Sequence, residues 1–336
     1  MTVFLWASVL LVHSLCIADI TGPISDDFQQ WLNTNGYQND DFVRADYGTQ
    51  GSYGGKASVA DTVKNVPVIF IHGNSDAALH LSKTATGWTN SIQYFLDQGY
   101  TQAELYATSW GDTNTNNAAK RTHDCYDLTR LRRFIQAVLA YTGAPKVSLI
   151  THSMGVTLGR KAIKGGAVVD NSVVCNLGTP LTSKVDVFLG LAGANYGLCN
   201  CEGTGVLEPT CNKQNGFWPG DSCDLNSLDC GLKPLPFPCN GPTYSNLLMG
   251  MNTDNIREAS LVYSAWSEVD DLILYGDQVW GRPTSLIPTS VGKVVYKHYT
   301  HMQTKENTAA DQYTMVVKKT LPSSDAIIKK SIYFTL

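Results

Sequence analysis

The chain has 336 residues, 43% of them hydrophobic and 10% aromatic, which excludes a disordered, collagenous or low-complexity protein and leaves enough chain for a sizeable core. Charged residues make up only 16%, against roughly 25% in an average soluble domain. With 25 Lys+Arg against 29 Asp+Glu the net charge is −4, so no basic field draws in phosphate backbones and nucleic acid is excluded as a partner.

The first 18 residues (MTVFLWASVLLVHSLCIA) hold no Asp, Glu, Lys or Arg and close on small residues at Cys16 and Ala18. They read as a signal peptide cleaved before Asp19, although a basic start is missing. The stretch is short for a membrane span, which needs about 20 apolar residues. No later stretch approaches that length; residues 66–71 are the longest clean apolar run. A secreted, extracellular protein with one domain over residues 19–336 is expected.

Nine Cys become eight once Cys16 leaves with the signal: Cys125, Cys175, Cys199, Cys201, Cys211, Cys223, Cys230 and Cys239. An even count in an oxidising compartment implies up to four disulfides. Zinc is the competing reading, but the cluster contains no His, so no metal is expected. Cys199 and Cys201 are too close to bridge each other without strain and should take different partners. Cys125 and Cys175, outside the cluster, are left to pair together.

Residues 19–65 are polar and Gly-rich, with one amphipathic stretch at 28–32, and read as an N-terminal wrap. Strands and helices then alternate. Residues 66–72 (VPVIFIH) form an apolar run suited to a strand covered on both faces. Trp88, Ile92, Phe95 and Leu96 carry helical spacing, stopped by Gly99. Strands are expected at 103–109 and 146–151, helices at 127–141 and 154–164, and further strands at 185–192, 258–264 and 292–299. That alternation means βαβ units and a mostly parallel sheet with helices on both faces. Residues 196–242 break it: they hold six of the eight remaining Cys, several prolines, and aromatics at Phe217, Trp218 and Phe237 that look exposed. This segment reads as a disulfide-stapled cap offering apolar surface to a substrate.

The chemistry concentrates at Thr151-His152-Ser153-Met154-Gly155. An apolar strand runs straight into Ser153 and a helix starts after it, the context of a nucleophile elbow. The turn is tight, so the positions two residues either side of the nucleophile must be small. Gly155 complies, whereas Thr151 stands where the general motif has Gly. Upstream, a strand ends in His72-Gly73-Asn74-Ser75, and the backbone N–H groups of Asn74 and Met154 are the expected oxyanion donors. His72 is expected to pack beneath that loop.

A serine hydroxyl needs a base to take its proton as it attacks. His72, His80 and His123 precede the nucleophile, and His152 adjoins it. Of the two remaining, His298 sits in the last strand and His301 in the loop beyond, where a base belongs; His301 is favoured. A buried carboxylate must orient it. Asp270 and Asp271 compete after a strand, with Asp277 a weaker third, and spacing alone hardly separates the first two. The loser is expected to face solvent or cap the following segment.

Five segments in order, residues 68–75 (VIFIHGNS), 106–111 (YATSWG), 151–155 (THSMG), 192–195 (AGAN) and 279–283 (VWGRP), together resemble a class 2 triacylglycerol lipase of the nematode secreted branch. The resemblance spans nearly the whole chain after the signal and implies an α/β-hydrolase fold and carboxylester hydrolysis. Its acid motif, Ser-X-X-Asp-X-apolar-apolar, matches residues 267–273 and selects Asp270. Its His-apolar pair matches His301-Met302. Members often have Ala-His-Ser-X-Gly at the elbow, so Thr151 is a departure that bears on fine geometry. A lipid or ester substrate, met at a lipid–water interface, is the implied partner, and no cofactor is implied. A short-chain esterase or amidase on the same fold and a non-catalytic lipid-binding protein are the alternatives.

Overall fold

The computed structural model describes residues 20–171, 173–202, 207–220, 230 and 243–323. The signal segment at 1–18, Cys223, Cys239, Phe237 and much of the 196–242 insertion lie outside the described residues.

The N-terminal wrap begins with helix α1 (Asp26–Thr34), capped by the Ser25 hydroxyl accepting from Phe28 N at 3.2 Å. A short strand, β1 (Ser52–Tyr53), follows, then β2 (Val68–Ile71), α2 (Thr89–Asp97), β3 (Leu105–Thr108), α3 (Cys125–Thr142), β4 (Val147–His152) and α4 (Met154–Lys164). A hairpin of β5 (Ala167–Asp170) and β6 (Val173–Asn176) precedes β7 (Val185–Leu191), α5 (Asn246–Thr253) and β8 (Leu261–Ser267). The chain continues through β9 (Gln278–Val279), β10 (Arg282–Pro283), β11 (Gly292–Tyr296), α6 (Gln303–Glu306) and α7 (Ala309–Val316).

Seven strands form the central sheet in the order β1-β3-β2-β4-β7-β8-β11. Every pairing is parallel except that of edge strand β1 with β3. The apolar run at β2 is explained by its two faces. Val68 and Phe70 pack with α2 and α7 residues such as Phe95 and Met315, whereas Ile69 and Ile71 join Phe28, Leu131 and Leu158 from α1, α3 and α4. A strand buried on both sides has no polar face to show. This is the α/β-hydrolase fold, with the carboxyl ends of β2, β4, β8 and β11 gathered along one edge of the sheet.

Three elements depart from the sequence reading. The wrap contributes a helix and an edge strand to the main body. The strand placed at 258–264 begins at Leu261, because Glu258 is buried in an ion pair with Arg160 (Nε to Oε1, 2.8 Å). The β5–β6 hairpin was not expected: Val169, Val173 and Val174 are exposed on it, so it lacks the buried-face alternation that marks a strand. Disulfides join Cys125 to Cys175, Cys199 to Cys230 and Cys201 to Cys211. Cys125 and Cys175 thus pair as expected, and Cys199 and Cys201 take separate partners.

Candidate active site

Ser153 occupies the single residue between β4 and α4, with φ 54° and ψ −131°. That backbone conformation is strained for a residue with a side chain, and such strain collects at functional turns. Two glycines make it possible. A Cβ on Gly155 would lie 2.3 Å from the His72 carbonyl oxygen, and one on Gly73 would lie 2.6 Å from Ser153 Cβ. Ser153 is formally the helix N-cap, yet its hydroxyl makes no capping bond. An ordinary N-cap serine spends its oxygen on the N–H groups of the first turn. Here the turn aims it elsewhere, so the hydroxyl stays available and the helix N-terminus keeps its donors and positive dipole end.

Thr151 fits without disturbing the elbow. Its hydroxyl donates to Leu189 O on β7 at 2.9 Å, and its methyl packs against α4 at Gly159. The residue that departs from the motif is therefore accommodated by a second glycine one helical turn further on.

The loop after β2 carries Asn74. The Asn74 side chain is held on both of its polar atoms: Nδ2 donates to Ala118 O at 2.9 Å, and Oδ1 accepts from Arg121. His72 lies beneath, buried, its Nδ1 donating to Gly73 O at 2.7 Å and its Nε2 accepting from Trp110 N at 2.9 Å. Burial pushes its pKa down to about 4, which keeps it neutral. The expected packing role fits this arrangement.

Asp270 and His301 come together from the segments following β8 and β11. His301 Nδ1 lies 2.8 Å from Asp270 Oδ2, and both residues are 4% exposed. The second Asp270 oxygen accepts from Leu272 N at 2.9 Å and Ile273 N at 2.7 Å. Burial alone would raise this carboxyl's pKa; the hydrogen bond and charge of His301, with the two backbone N–H groups, hold it below the usual range. His301 Nε2 is buried and has no partner among the described residues. An imidazole oriented through Nδ1 with its Nε2 uncommitted is poised to accept a proton.

Asp271 does not merely face solvent or cap the next segment. Its Oδ1 accepts from His301 N at 2.8 Å, so adjacent carboxylates hold the ring and the backbone of one histidine. Asp277 is excluded from the pair by geometry: it is fully buried against Ser285, whose hydroxyl lies 2.6 Å away, and burial raises its pKa well above normal. His298 lies just past the end of β11 at Tyr296, not within the strand as expected, and is exposed with its ring tilted against Tyr299.

His152 holds His301 from the other side. Its Nε2 donates to His301 O at 3.1 Å and the two rings lie 4.6 Å apart. Burial and then the neighbouring His301 and Lys305 charges keep its pKa well below normal. Neither this support nor the Asp271 bond was legible in the sequence, since both join segments about 30 to 150 residues apart that only the fold brings together.

The aromatics expected to be exposed on the insertion need correcting. Phe217 and Trp218 are each 4% exposed. Phe217 packs edge-on against His123 at 4.9 Å, and His123 bridges Asn215 O and the Thr157 hydroxyl of α4 at 2.7 and 2.6 Å. Lys213 Nζ lies 4.6 Å from the Trp218 ring. An irregular segment without a sheet ladder needs buried anchors, and these rings supply them. Phe237 lies outside the described residues.

The sequence pattern of the lipases of class 2 matches residues 65–314. The chain belongs to the class 2 lipases. Among solved structures, the chain superposes on Aspergillus fumigatus lipase B with a TM-score of 0.43 and 12% identity, covering 76% of this chain and 48% of that one. It thus spans about half the length of that protein. The mature form of Bacillus licheniformis lipase BlEst2 gives a TM-score of 0.46 at 11% identity, covering 78% and 96%. An extracellular α/β-hydrolase from a Paenibacillus species gives 0.42 at 11% identity, covering 75% and 100%.

Among the described residues, no group of His, Cys, Asp and Glu could hold a metal ion, and no helix is long and apolar enough to cross a membrane.

Proposed function

We propose that this class 2 lipase is a secreted serine hydrolase cleaving acylglycerol and fatty-acid esters, of the nematode branch its five motifs resemble. The observation that carries the mechanism is the 2.8 Å Asp270–His301 pair with its free Nε2, at the same sheet edge as a strained, uncapped Ser153. In this reading His301 Nε2 takes the Ser153 proton as Oγ attacks the ester carbonyl. Asp270 fixes the tautomer and stabilises the imidazolium. The Asn74 and Met154 N–H groups receive the oxyanion. His301 then protonates the departing alkoxide, and water resolves the acyl-enzyme by the reverse sequence. No cofactor takes part.

Secretion is supported by the charge-free N-terminal stretch and by disulfides that persist in an oxidising compartment. The domain reading, a signal at 1–18 and one hydrolase domain at 19–336 with an insertion at 196–242, belongs to the same proposal. Hydrolysis of p-nitrophenyl esters from acetate to palmitate, with and without emulsified triglyceride, tests the substrate class. A fluorophosphonate should label Ser153, and Ser153→Ala should abolish both labelling and turnover. Cleavage of short esters alone would move the assignment to an esterase; loss of neither activity in Ser153→Ala would end the serine mechanism.

A further inference from the structure

The loop carrying Asn74 and the segment carrying His301 are bridged by a buried ion pair that the mechanism above does not use. Asp76 Oδ2 and Lys305 Nζ lie 2.6 Å apart across 229 residues of sequence, and they are 2% and 1% exposed. A buried pair of opposite charges gains little stability over apolar side chains of the same volume, because removing two ions from water costs about what their attraction returns. What such a pair can supply instead is a fixed geometry.

The partners leave the pair little freedom. Asp76 Oδ1 accepts from Ala77 N and Gly87 N, each at 2.9 Å. Lys305 Nζ also donates to the Thr86 hydroxyl at 3.0 Å and lies 5.5 Å from the Trp88 ring. The helix bearing Lys305 is itself tied down: Gln312 Nε2 donates to Lys305 O at 2.7 Å, and Gln312 Oε1 accepts from Ser91 on α2 at 2.7 Å. Asp76 is two residues past Asn74, and Lys305 four past His301. On its other side Asn74 is gripped by Arg121.

Resting on the proposed serine mechanism, we propose that Asp76 and Lys305 are positioning residues, forming a strut that sets the spacing between the oxyanion donor at Asn74 and the base at His301. Both must meet one tetrahedral intermediate on Ser153, and small misplacements of such groups are costly.

The test uses the full chain, p-nitrophenyl butyrate as substrate, fluorophosphonate titration to count functional serines, and a trifluoromethyl ketone whose serine adduct carries the oxyanion. In Lys305→Met and Asp76→Asn, kcat per titrated site should fall roughly tenfold to a hundredfold. KM should stay within about threefold, and Ki for the ketone should rise in step with the loss of kcat/KM. Asp76→Glu and Lys305→Arg keep both charges while displacing one group, and should show the same pattern in milder form if the first two do not fold. A merely structural role would lower the melting temperature and the titrated fraction but leave per-site kcat and Ki unchanged, and that result overturns the strut. A wild-type protein that neither titrates nor turns over would instead overturn the serine reading itself, and the strut with it.

Discussion

At the residue scale, the two neighbouring carboxylates separate by what each oxygen accepts. Asp270 receives the imidazole N–H, for which a charge is needed once the imidazolium forms, whereas Asp271 receives a backbone N–H, for which any acceptor serves. Asp270→Asn should therefore cost about 10⁴ in kcat, as expected when a histidine loses the carboxylate that fixes its tautomer. Asp271→Asn keeps an acceptor oxygen and should stay within about threefold of wild type, while Asp271→Ala, which lets the His301 backbone relax, should lose roughly tenfold. Steady-state ester hydrolysis by the three variants checks this; an Asp271→Asn enzyme as impaired as Asp270→Asn would remove the distinction. The competition between the two acids was visible from spacing alone. The acid motif of the resemblance points to Asp270, whereas the role of Asp271 depends on the position of the His301 backbone.

At the element scale, the β4–α4 unit was readable to within one residue because its signals are local. An apolar strand, a turn demanding Gly155 and a helix from Met154 to Lys164 are all consequences of sequence within about 20 positions. The insertion was not readable in that way. Phe217 and Trp218 sit in a Pro- and Cys-rich segment without periodicity, so nothing local says which way they face. Their burial changes what their replacement should do. Phe217→Ser opens a cavity against His123 and the core, and should cost roughly 3 kcal/mol, seen as a drop of several degrees in Tm. An unchanged Tm would contradict the anchoring role. Arg160 and Glu258 make a parallel case. Their side chains are fully buried, with Lys164 3.5 Å from the same carboxylate. Glu258→Gln would leave the buried Arg160 guanidinium without a carboxylate, while Lys164 keeps Asp254 at 2.7 Å, and should destabilise by roughly 3 kcal/mol in chemical denaturation. A loss below about 1 kcal/mol would show that water reaches the site.

At the scale of the whole molecule, buried neutral histidines make stability depend on pH. Burial lowers the pKa of both His72 and His123 to about 4 in the folded protein, whereas an exposed histidine in the unfolded chain titrates near 6.5. Above about pH 6.5 neither state binds the proton and stability is fully present. As pH falls from there toward 4 only the unfolded chain takes it up, so each histidine withdraws about 1.4 kcal/mol per pH unit. Below the folded pKa both states are protonated and the loss levels off. Denaturant unfolding should show a plateau above about pH 7 and a decline between pH 6.5 and 4, and the slope should be shallower in His123→Gln. A stability independent of pH across that interval would mean that these rings admit water.

The sequence by itself determined what depends on near neighbours: a parallel α/β sheet from alternating apolar runs, the elbow at Ser153 and, through the short motifs of the resemblance, Asp270 and His301 as candidate acid and base. Only the tertiary structure decided how distant segments divide the work around that serine. It assigned Asp270 to the ring and Asp271 to the backbone, turned Phe217 and Trp218 inward, placed Glu258 against Arg160, and laid Asp76 against Lys305. The physical reason is that periodicity and turn chemistry report which face of an element is apolar, whereas a buried charge or an irregular loop is tolerable only through a specific partner. That partner lies far along the chain, and it is named only when the sheet brings the strand ends together.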